Sequence, residues 1–282
     1  MADMAGPVQI LVVDDEEPIR NALKKFLQQQ QFEVYAAGSG DEALQQLKRR
    51  EMQHENRQLN QWLKDEVTTR AAELQRARMK LERLSIATLE ALVNALEAKD
   101  PYMRGHSARV ADLAATVAHQ LGMSEEDVEL VRVAGRLHDI GKIGTRESVL
   151  NKQGALTPEE FEHVRQHVVI GSQILAPLTH LGDIIPAVRH HHERFDGTGY
   201  PDGLRGEAIP LPARIIGAGE VYDALTTSRA YQEKMTPENA IARIADLSGT
   251  VLDPAVFEAL SSVVARRRTL VFLDEGGVTS TG

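Results

Sequence analysis

Residues 128–143, VELVRVAGRLHDIGKI, are the most informative part of this sequence for the fold. Apolar side chains recur through Val128–Leu137 at the spacing of one helix face, which predicts a buried α-helix. His138 and Asp139 follow directly, so an imidazole and a carboxylate stand together at the end of a rigid helix. Both groups bind divalent metals. The stretch therefore predicts a helical protein with metal ligands at a helix end.

Histidines are concentrated downstream of this pair. The chain has ten histidines, and six of them lie at positions 138, 163, 167 and 190–192. The run HHERFDGTGYP, residues 191–201, ends in closely spaced glycines and a proline, which indicate a loop that can shape a pocket. A lone buried histidine is more often a core residue than a ligand, but this array favours a metal site.

Four motifs in this order resemble the HD-GYP family of cyclic di-GMP phosphodiesterases, a branch of the HD-domain metallohydrolases. They are GHSARV at 105–110, LHDIGKI at 137–143, the run at 191–201 and YDAL at 222–225. The similarity extends over residues 90–260. The resemblance implies a mainly α, all-helical HD-GYP domain that cleaves cyclic di-GMP to pGpG, with GMP as a slower further product.

The resemblance also implies two divalent metal ions that share the Asp139 carboxylate. Iron or manganese is expected, and magnesium, nickel and zinc are the alternatives. The implied ligands are His106, His138, Asp139 and Glu220 for the first ion, and Asp139, His167 and His191 for the second. Two ions about 3.5–4 Å apart stabilise both the attacking and the leaving oxygen of an in-line displacement.

Three neighbouring histidines have weaker assignments. His192 is expected either to be a weak ligand of a third ion or to contact the side chains that bind the two ions. His163 is predicted on the same helix as His167, one turn earlier. Its side chain is expected either to face solvent or to contact a metal-binding side chain. His190 is expected on a helix surface.

Two positions depart from the family pattern. The family has Asp where this chain has Glu220, and the extra methylene predicts a strained or weaker first metal site. Gly217 and Gly219 are expected to supply backbone slack there. Members with three metals carry Glu at the position of Tyr102, and a phenol with a pKa of about 10 replaces it poorly. Two metals are therefore expected.

Four residues are candidates for catalysis or substrate binding. Lys142, one turn after Asp139, is expected to face the phosphate; the alternative is an exposed lysine at a helix end. Tyr200 is expected in the wall of the substrate pocket, on a loop that also contacts partners such as diguanylate cyclases; the alternative is a plain turn. Arg214 and Arg229 are candidates for phosphate or guanine contacts, or else form structural ion pairs.

Residues 1–48 resemble the start of a response-regulator receiver domain. Strands are predicted at 8–13 and 32–37, and helices at 18–30 and 39–50. The acidic pair Asp14-Asp15 fits this resemblance, but nothing after Lys48 supplies a third strand with its phosphorylatable Asp. A small partial α/β segment that is not a phosphorylation switch is therefore expected.

Residues 49–90 are predicted to form a helical linker that resembles a coiled coil. The seam consists of Leu63, Arg70, Ala77, Leu84 and Ala91 at one heptad position and Val67, Leu74, Leu81 and Thr88 at the other. We expect a homodimer through this helix; the alternative is a single amphipathic helix packed on its own domain. The HD-GYP domain is expected at 91–268, followed by a flexible tail at 269–282.

The composition limits the function classes. The chain of 282 residues is 42% hydrophobic, and its formal net charge of −9 argues against binding of nucleic-acid polymers. The absence of cysteine excludes disulfides and thiolate ligands. No secretory signal or apolar run of membrane length is present, so a cytoplasmic protein without membrane insertion is expected.

Two other functions stay open from the sequence. An HD-GYP domain that Glu220 has inactivated would act as a cyclic di-GMP sensor or as a protein-interaction module. An HD phosphohydrolase of another nucleotide would have the same ligand spacing. The presence of His138, Asp139, Lys142 and the GYP triplet at 199–201 favours an active cyclic di-GMP phosphodiesterase.

Overall fold

A computed structural model describes residues 8–99, 103–150, 152, 154–227 and 234–275 of the protein, with side chains described up to residue 266. Tyr102, Arg229 and residues 276–282, for which the sequence made predictions, lie outside the described residues. The structure is mainly helical, as predicted, with one small sheet. The chain divides into two compact units between Met79 and Lys80.

The N-terminal unit is a partial α/β structure. It begins with strand β1 (Gln9–Val13), helix α1 (Glu17–Gln29) and strand β2 (Glu33–Ala37). The two strands are parallel, in a register that pairs Gln9 with Glu33 and Val13 with Ala37. Within the described residues the sheet has only these two strands, because the chain passes from β2 into a long helix.

Helix α2 (Gly40–Glu97) follows β2 and contains 58 residues. The sequence analysis predicted a helix at 39–50 and a separate helical linker, but the structure joins them without a break. No glycine or proline interrupts the run from Asp41 to Glu97, so the backbone has no signal to leave the helical conformation. None of the described helices combines the length and the apolar character needed to cross a lipid bilayer.

The C-terminal unit is built from helices. They are α3 (His106–Gln120), α4 (Glu125–Leu137), α5 (Glu147–Leu150), α6 (Pro158–Arg165), α7 (His167–Leu175), α8 (Ile185–His190), α9 (Leu211–Thr226), α10 (Pro237–Ala245) and α11 (Pro254–Glu275). Short 3-10 helices lie at Ile140–Gly144, Thr179–Ile184 and Gly206–Ala208.

Helix α3 is central to this unit, packing against α4, α9 and α11. The core between these helices contains fully buried side chains such as Val110, Val131 and Ile216. Helix α4 begins where Ser124 accepts a hydrogen bond from the Asp127 backbone, and acidic residues fill its first turn. It ends at Leu137, so the predicted helix that presents His138 is confirmed.

The region of His163 and His167 differs from the prediction. The two residues were expected on one helix, but α6 ends at Arg165 and α7 begins at His167. His163 is half-buried, and its Nε2 accepts a hydrogen bond of 3.1 Å from the Arg146 backbone. The break allows His167 to point into the core independently of the direction of α6.

Candidate metal centre and active site

Four histidine rings converge at the ends of four helical segments. His106 opens α3, His138 follows α4, His167 opens α7 and His191 follows α8. Each of the four is at least 98% buried. Neighbouring ring centroids are 5.4 Å apart for His106 and His138, and 5.0 Å apart for His138 and His191.

Each ring uses its Nδ1 atom in a hydrogen bond. The Nδ1 atoms of His138, His167 and His191 lie 2.6–2.7 Å from the backbone oxygens three residues earlier. The Nδ1 atom of His106 lies 2.7 Å from a carboxylate oxygen of Asp223. A carbonyl oxygen only accepts, so Nδ1 carries the proton in those three rings and Nε2 has a free lone pair.

The Nε2 atoms of these four rings are buried and have no hydrogen-bond partner among the described residues. An unsatisfied buried polar atom costs about 1–3 kcal/mol, so several such atoms facing one another require an explanation. Imidazole nitrogens oriented by a second hydrogen bond are the usual form of metal-binding histidine. The donor set therefore fits bound metal.

Asp139 lies between the rings and is 4% exposed. Its Oδ2 atom lies 3.4 Å from His138 Nε2 and 3.8 Å from His106 Nε2. Its Oδ1 atom faces the other side, 3.5 Å from His167 Nε2. Because each oxygen faces a different group of histidines, the carboxylate has the placement that a bridge between two ions requires.

Lys142 contacts the same carboxylate. Its Nζ lies 2.5 Å from Asp139 Oδ2, one turn along the 3-10 helix, and its side chain is 21% exposed. Burial raises the pKa of Asp139, but the charge of Lys142 and the adjacent histidines hold it well below its usual range. Lys142 is therefore directed into the site and is not the exposed lysine of the alternative interpretation.

Potential ligand atoms form three overlapping groups within the described residues, each with atoms within 4.8 Å of one another. They are His106–His138–Glu220, His138–Asp139–His191 and His167–His191–His192. Glu220 thus lies in one group with two of the other residues that were predicted as ligands of the first ion. His192 joins the group of the second ion, and its Nδ1 lies 3.6 Å from Glu220 Oε2.

Burial lowers the pKa of three of the rings, because an imidazolium loses its hydration inside the protein. The pKa of His167 falls to about 4, and those of His138 and His191 also lie below the ordinary value. These rings are neutral at neutral pH, which is the protonation state that metal binding requires.

Close approaches at two glycines bring the ligand segments together. A Cβ atom at Gly141 would lie 1.8 Å from the His167 backbone oxygen, so only glycine lets the 3-10 helix rest on α7. A Cβ atom at Gly217 would lie 2.7 Å from the His191 oxygen. Helix α9 runs unbroken through Gly217 and Gly219, and Gly217 serves close packing; slack for Glu220 at these glycines stays a prediction.

His106 is held by a network that the sequence analysis did not identify. Asp223, which accepts from its Nδ1, also receives two hydrogen bonds of 2.6 and 3.1 Å from Arg109. Burial raises the pKa of Asp223, but these bonds bring it down to about 2. Glu97 accepts from the backbone N–H groups of Gly105 and Ser107 at the start of α3. Arg109 and Asp223 both lie in the quoted motifs, but nothing local indicates that they pair.

Tyr200 stacks on His192, with ring centroids 4.9 Å apart. The guanidinium of Arg165 lies 4.6 Å from the centre of the Tyr200 ring, a contact that was not predicted. A Cβ atom at Gly199 would lie 2.2 Å from the Arg194 backbone nitrogen, so the loop can fold back only with glycine there. The loop therefore forms a wall of the site at His192.

Two predicted positions have partners away from the metal cluster. His190 was expected on a helix surface, but its side chain is 12% exposed and lies 3.5 Å from Glu193. Arg214, which is partly buried, forms an ion pair with Asp253, the structural role that the sequence left open. Arg214 also lines a cavity of about 190 Å³ together with Tyr200 and Glu220.

A protein-family model described as HD domain matches residues 90–256, more than half of the chain. The chain belongs to the HD domain family. The expected family is thereby confirmed, and its curated relatives agree with the resemblance to the HD-GYP branch. The matched residues include the whole cluster from His106 to Glu220.

Curated relatives of this HD domain protein are named phosphodiesterases. The cyclic di-GMP phosphodiesterase response regulator RpfG of Xanthomonas campestris pv. campestris is 35% identical over 264 residues, covering 90% of this chain and 66% of the relative. A cyclic di-GMP phosphodiesterase of Thermotoga maritima is 41% identical, covering 61% of this chain and 47% of the relative. The 3'3'-cGAMP-specific phosphodiesterase 3 of Vibrio cholerae is 38% identical, covering 64% and 40%.

The chain thus spans less than two thirds of the length of these relatives. A crystal structure of a cyclic GMP-AMP specific phosphodiesterase of Vibrio cholerae is similar with a TM-score of 0.53 and 22% identity. That likeness covers 66% of this chain and 50% of the other, and it supports the helical fold alone.

Proposed function

We propose that this protein is a metal-dependent phosphodiesterase that hydrolyses cyclic di-GMP to pGpG, with GMP as a slower second product. The observation that carries the proposal is the convergence of four buried, unpartnered Nε2 atoms on the two oxygens of Asp139. Relatives named cyclic di-GMP phosphodiesterases support the choice of substrate.

The geometry of the side chains supports the following proposed ligand roles. His106, His138 and Glu220 would hold one divalent ion, and His167, His191 and His192 would hold the other, with Asp139 between them. Iron or manganese is the proposed metal. Two bound ions would supply charge stabilisation to the attacking and leaving oxygens of an in-line displacement at phosphorus.

The remaining site residues would bind and orient the substrate. Lys142 is a cation beside Asp139 and would pair with a phosphate oxygen. Tyr200, held between His192 and Arg165, would position the substrate at the loop side of the site. The guanidinium of Arg214 already pairs with Asp253. We therefore propose that Arg214 contacts the substrate only where it lines the cavity together with Tyr200.

Product analysis tests the proposal. Purified protein loaded with Mn²⁺ or Fe²⁺ is incubated with cyclic di-GMP and, separately, with 3'3'-cGAMP, and the products are resolved by chromatography. We expect pGpG from cyclic di-GMP, formed faster than any product from 3'3'-cGAMP. Faster cleavage of 3'3'-cGAMP would reassign the substrate, in agreement with the Vibrio cholerae relative. Metal-loaded protein that cleaves neither would support the sensor alternative.

The long helix supports a proposed homodimer. The seam residues Leu63, Val67, Leu74, Leu81 and Leu84 repeat at heptad spacing and are 43–73% exposed on α2. Large apolar side chains in such a row favour burial against a second copy. The loop at 196–203 is the proposed surface for signalling partners such as diguanylate cyclases.

A further inference from the structure

A cleft opens beside the metal cluster on the side of Asp139 and Lys142. Its volume is about 410 Å³, within the range of roughly 300–1,000 Å³ typical of small-molecule sites. The cavity beside Tyr200, about 190 Å³, lies below that range. A substrate whose phosphate contacts Lys142 therefore has room for a further group in the larger cleft.

The walls of the cleft are mainly apolar. They consist of Val93 and Leu96 near the end of α2, together with Met103, Ile143, Val149, Leu150, Leu156 and Val164. Ile143 and Leu150 remain 55% and 43% exposed, although both are large and apolar. Such walls suit the flat face of a nucleobase, whose burial removes apolar surface from water on both sides. A phosphate or a ribose would gain little from them.

Polar groups stand at defined positions among these walls. Thr145 is 8% exposed, and its hydroxyl has no hydrogen-bond partner among the described residues. Lys142 marks the end of the cleft nearest the metal ligands. Glu97 also lines the cleft, and its two carboxylate oxygens accept from backbone N–H groups at the start of α3.

We infer that this cleft binds one purine base of the cyclic dinucleotide whose scissile phosphate lies at Asp139 and Lys142. The inference rests on the proposed function, because it takes the phosphate position from that reaction. The cleft and the metal cluster share Asp139 and Lys142, so a base and its phosphate can occupy both at once.

Charged substitutions in the walls test this assignment. The variants are Ile143→Asp and Leu150→Asp, and the matched control is Phe161→Asp, which is 51% exposed on α6 and is not among the lining residues. Two measurements are made on Mn²⁺-loaded protein: the KM for cyclic di-GMP, and calorimetric binding of GMP compared with ribose 5-phosphate. The comparison isolates the base, because the two ligands share the sugar and the phosphate.

We expect wild type and the Phe161 variant to bind GMP more tightly than ribose 5-phosphate, by about tenfold or more. The Ile143 and Leu150 variants should lose that preference and show a KM for cyclic di-GMP raised by a similar factor. Thermal unfolding of all variants is compared with wild type, since exposed positions should tolerate Asp.

The experiment gives different results if the assignment of the cleft as a base site is wrong and if the proposed function is wrong. One outcome is that the Ile143 and Leu150 variants cleave cyclic di-GMP with the wild-type KM and still prefer GMP over ribose 5-phosphate. In that case the cleft is not the base site, and the proposed phosphodiesterase activity is upheld. Equal binding of GMP and ribose 5-phosphate by the wild-type protein would also show that the cleft does not bind the base. If cyclic di-GMP is not cleaved but the GMP preference depends on Ile143, the cleft stands and the proposed reaction is wrong.

Discussion

His106 and Asp223 lie 117 positions apart, and a hydrogen bond of 2.7 Å joins the ring Nδ1 to the carboxylate. The same carboxylate is clamped by Arg109, so the direction of His106 Nε2 is set by residues that bind no metal themselves. A ligand oriented in this way loses less freedom when the metal binds.

Removing the Asp223 carboxylate should therefore weaken the first metal. Asp223→Ala is expected to lower its affinity by roughly 10–100-fold, because His106 is no longer oriented. Asp223→Asn keeps an oxygen that accepts a hydrogen bond from His106 Nδ1, so this variant should lose less metal affinity. Titration against a competing chelator measures the affinity. The control is Asp112→Ala on α3, the helix that His106 opens, where Asp112 is exposed and pairs with Arg132; an equal loss there would contradict the argument.

Asp139→Ala should remove both metals and the activity together. Its two oxygens face separate histidine groups, so neither predicted ion keeps its full ligand set. The variant also removes the carboxylate that lies 2.5 Å from the Lys142 ammonium, so that the charge of Lys142 is less compensated and repels cations. Metal content by mass spectrometry and turnover are measured, with the exposed His119→Ala as control. Two metals per chain with normal turnover in Asp139→Ala would show that Asp139 is not the bridge.

Glu220→Asp should lower metal affinity and turnover instead of restoring the family pattern. The longer carboxylate already lies in one group with the His106 and His138 nitrogens, on a regular helix. A shorter side chain withdraws the oxygens by about 1.5 Å. Glu220→Gln keeps the length of the side chain but removes its charge. Comparing it with Glu220→Asp separates the effect of side-chain length from the effect of charge. Tighter metal binding in Glu220→Asp would mean that the glutamate does strain the site.

The N-terminal unit should not be a phosphorylation switch. Asp14 accepts a hydrogen bond from the Glu16 backbone, and the described sheet ends at two strands, without the third strand that carries the phosphorylated Asp of a receiver. Treatment with acetyl phosphate and Mg²⁺ should leave the intact mass and the phosphodiesterase rate unchanged. A complete receiver domain labelled in parallel verifies the reagent. Stoichiometric labelling with a change in rate would refute this prediction.

Charge on the helical seam should dissociate the proposed dimer. Leu74 is 73% exposed at a seam position, and Leu74→Lys would place like charges opposite each other in a parallel pair. Met79, 44% exposed, lies on the opposite side of the heptad, so Met79→Lys is the matched control. Light scattering should give a monomer mass for the first variant and a dimer mass for the second. A monomeric wild type would favour the single-helix alternative.

The helical class, the helix before His138 and the residue types of the candidate metal site could all be predicted from the sequence. These features depend on periodicity and side-chain chemistry, which are local properties. The periodicity of Val128–Leu137 predicted α4 and its end correctly. The N-terminal strands were also predicted, because their short apolar runs are bounded by turn residues.

The contacts between the site residues could not be predicted in this way. The Arg109–Asp223 pair, the partial burial of His190 beside Glu193 and the approach of Gly217 to the His191 oxygen each depend on packing between separate segments. The break between α6 and α7 was not predicted either, because no local signal at Gln166 indicates it. Contacts between distant segments arise from the shared core, so a single sequence identifies the groups but not the distances between them.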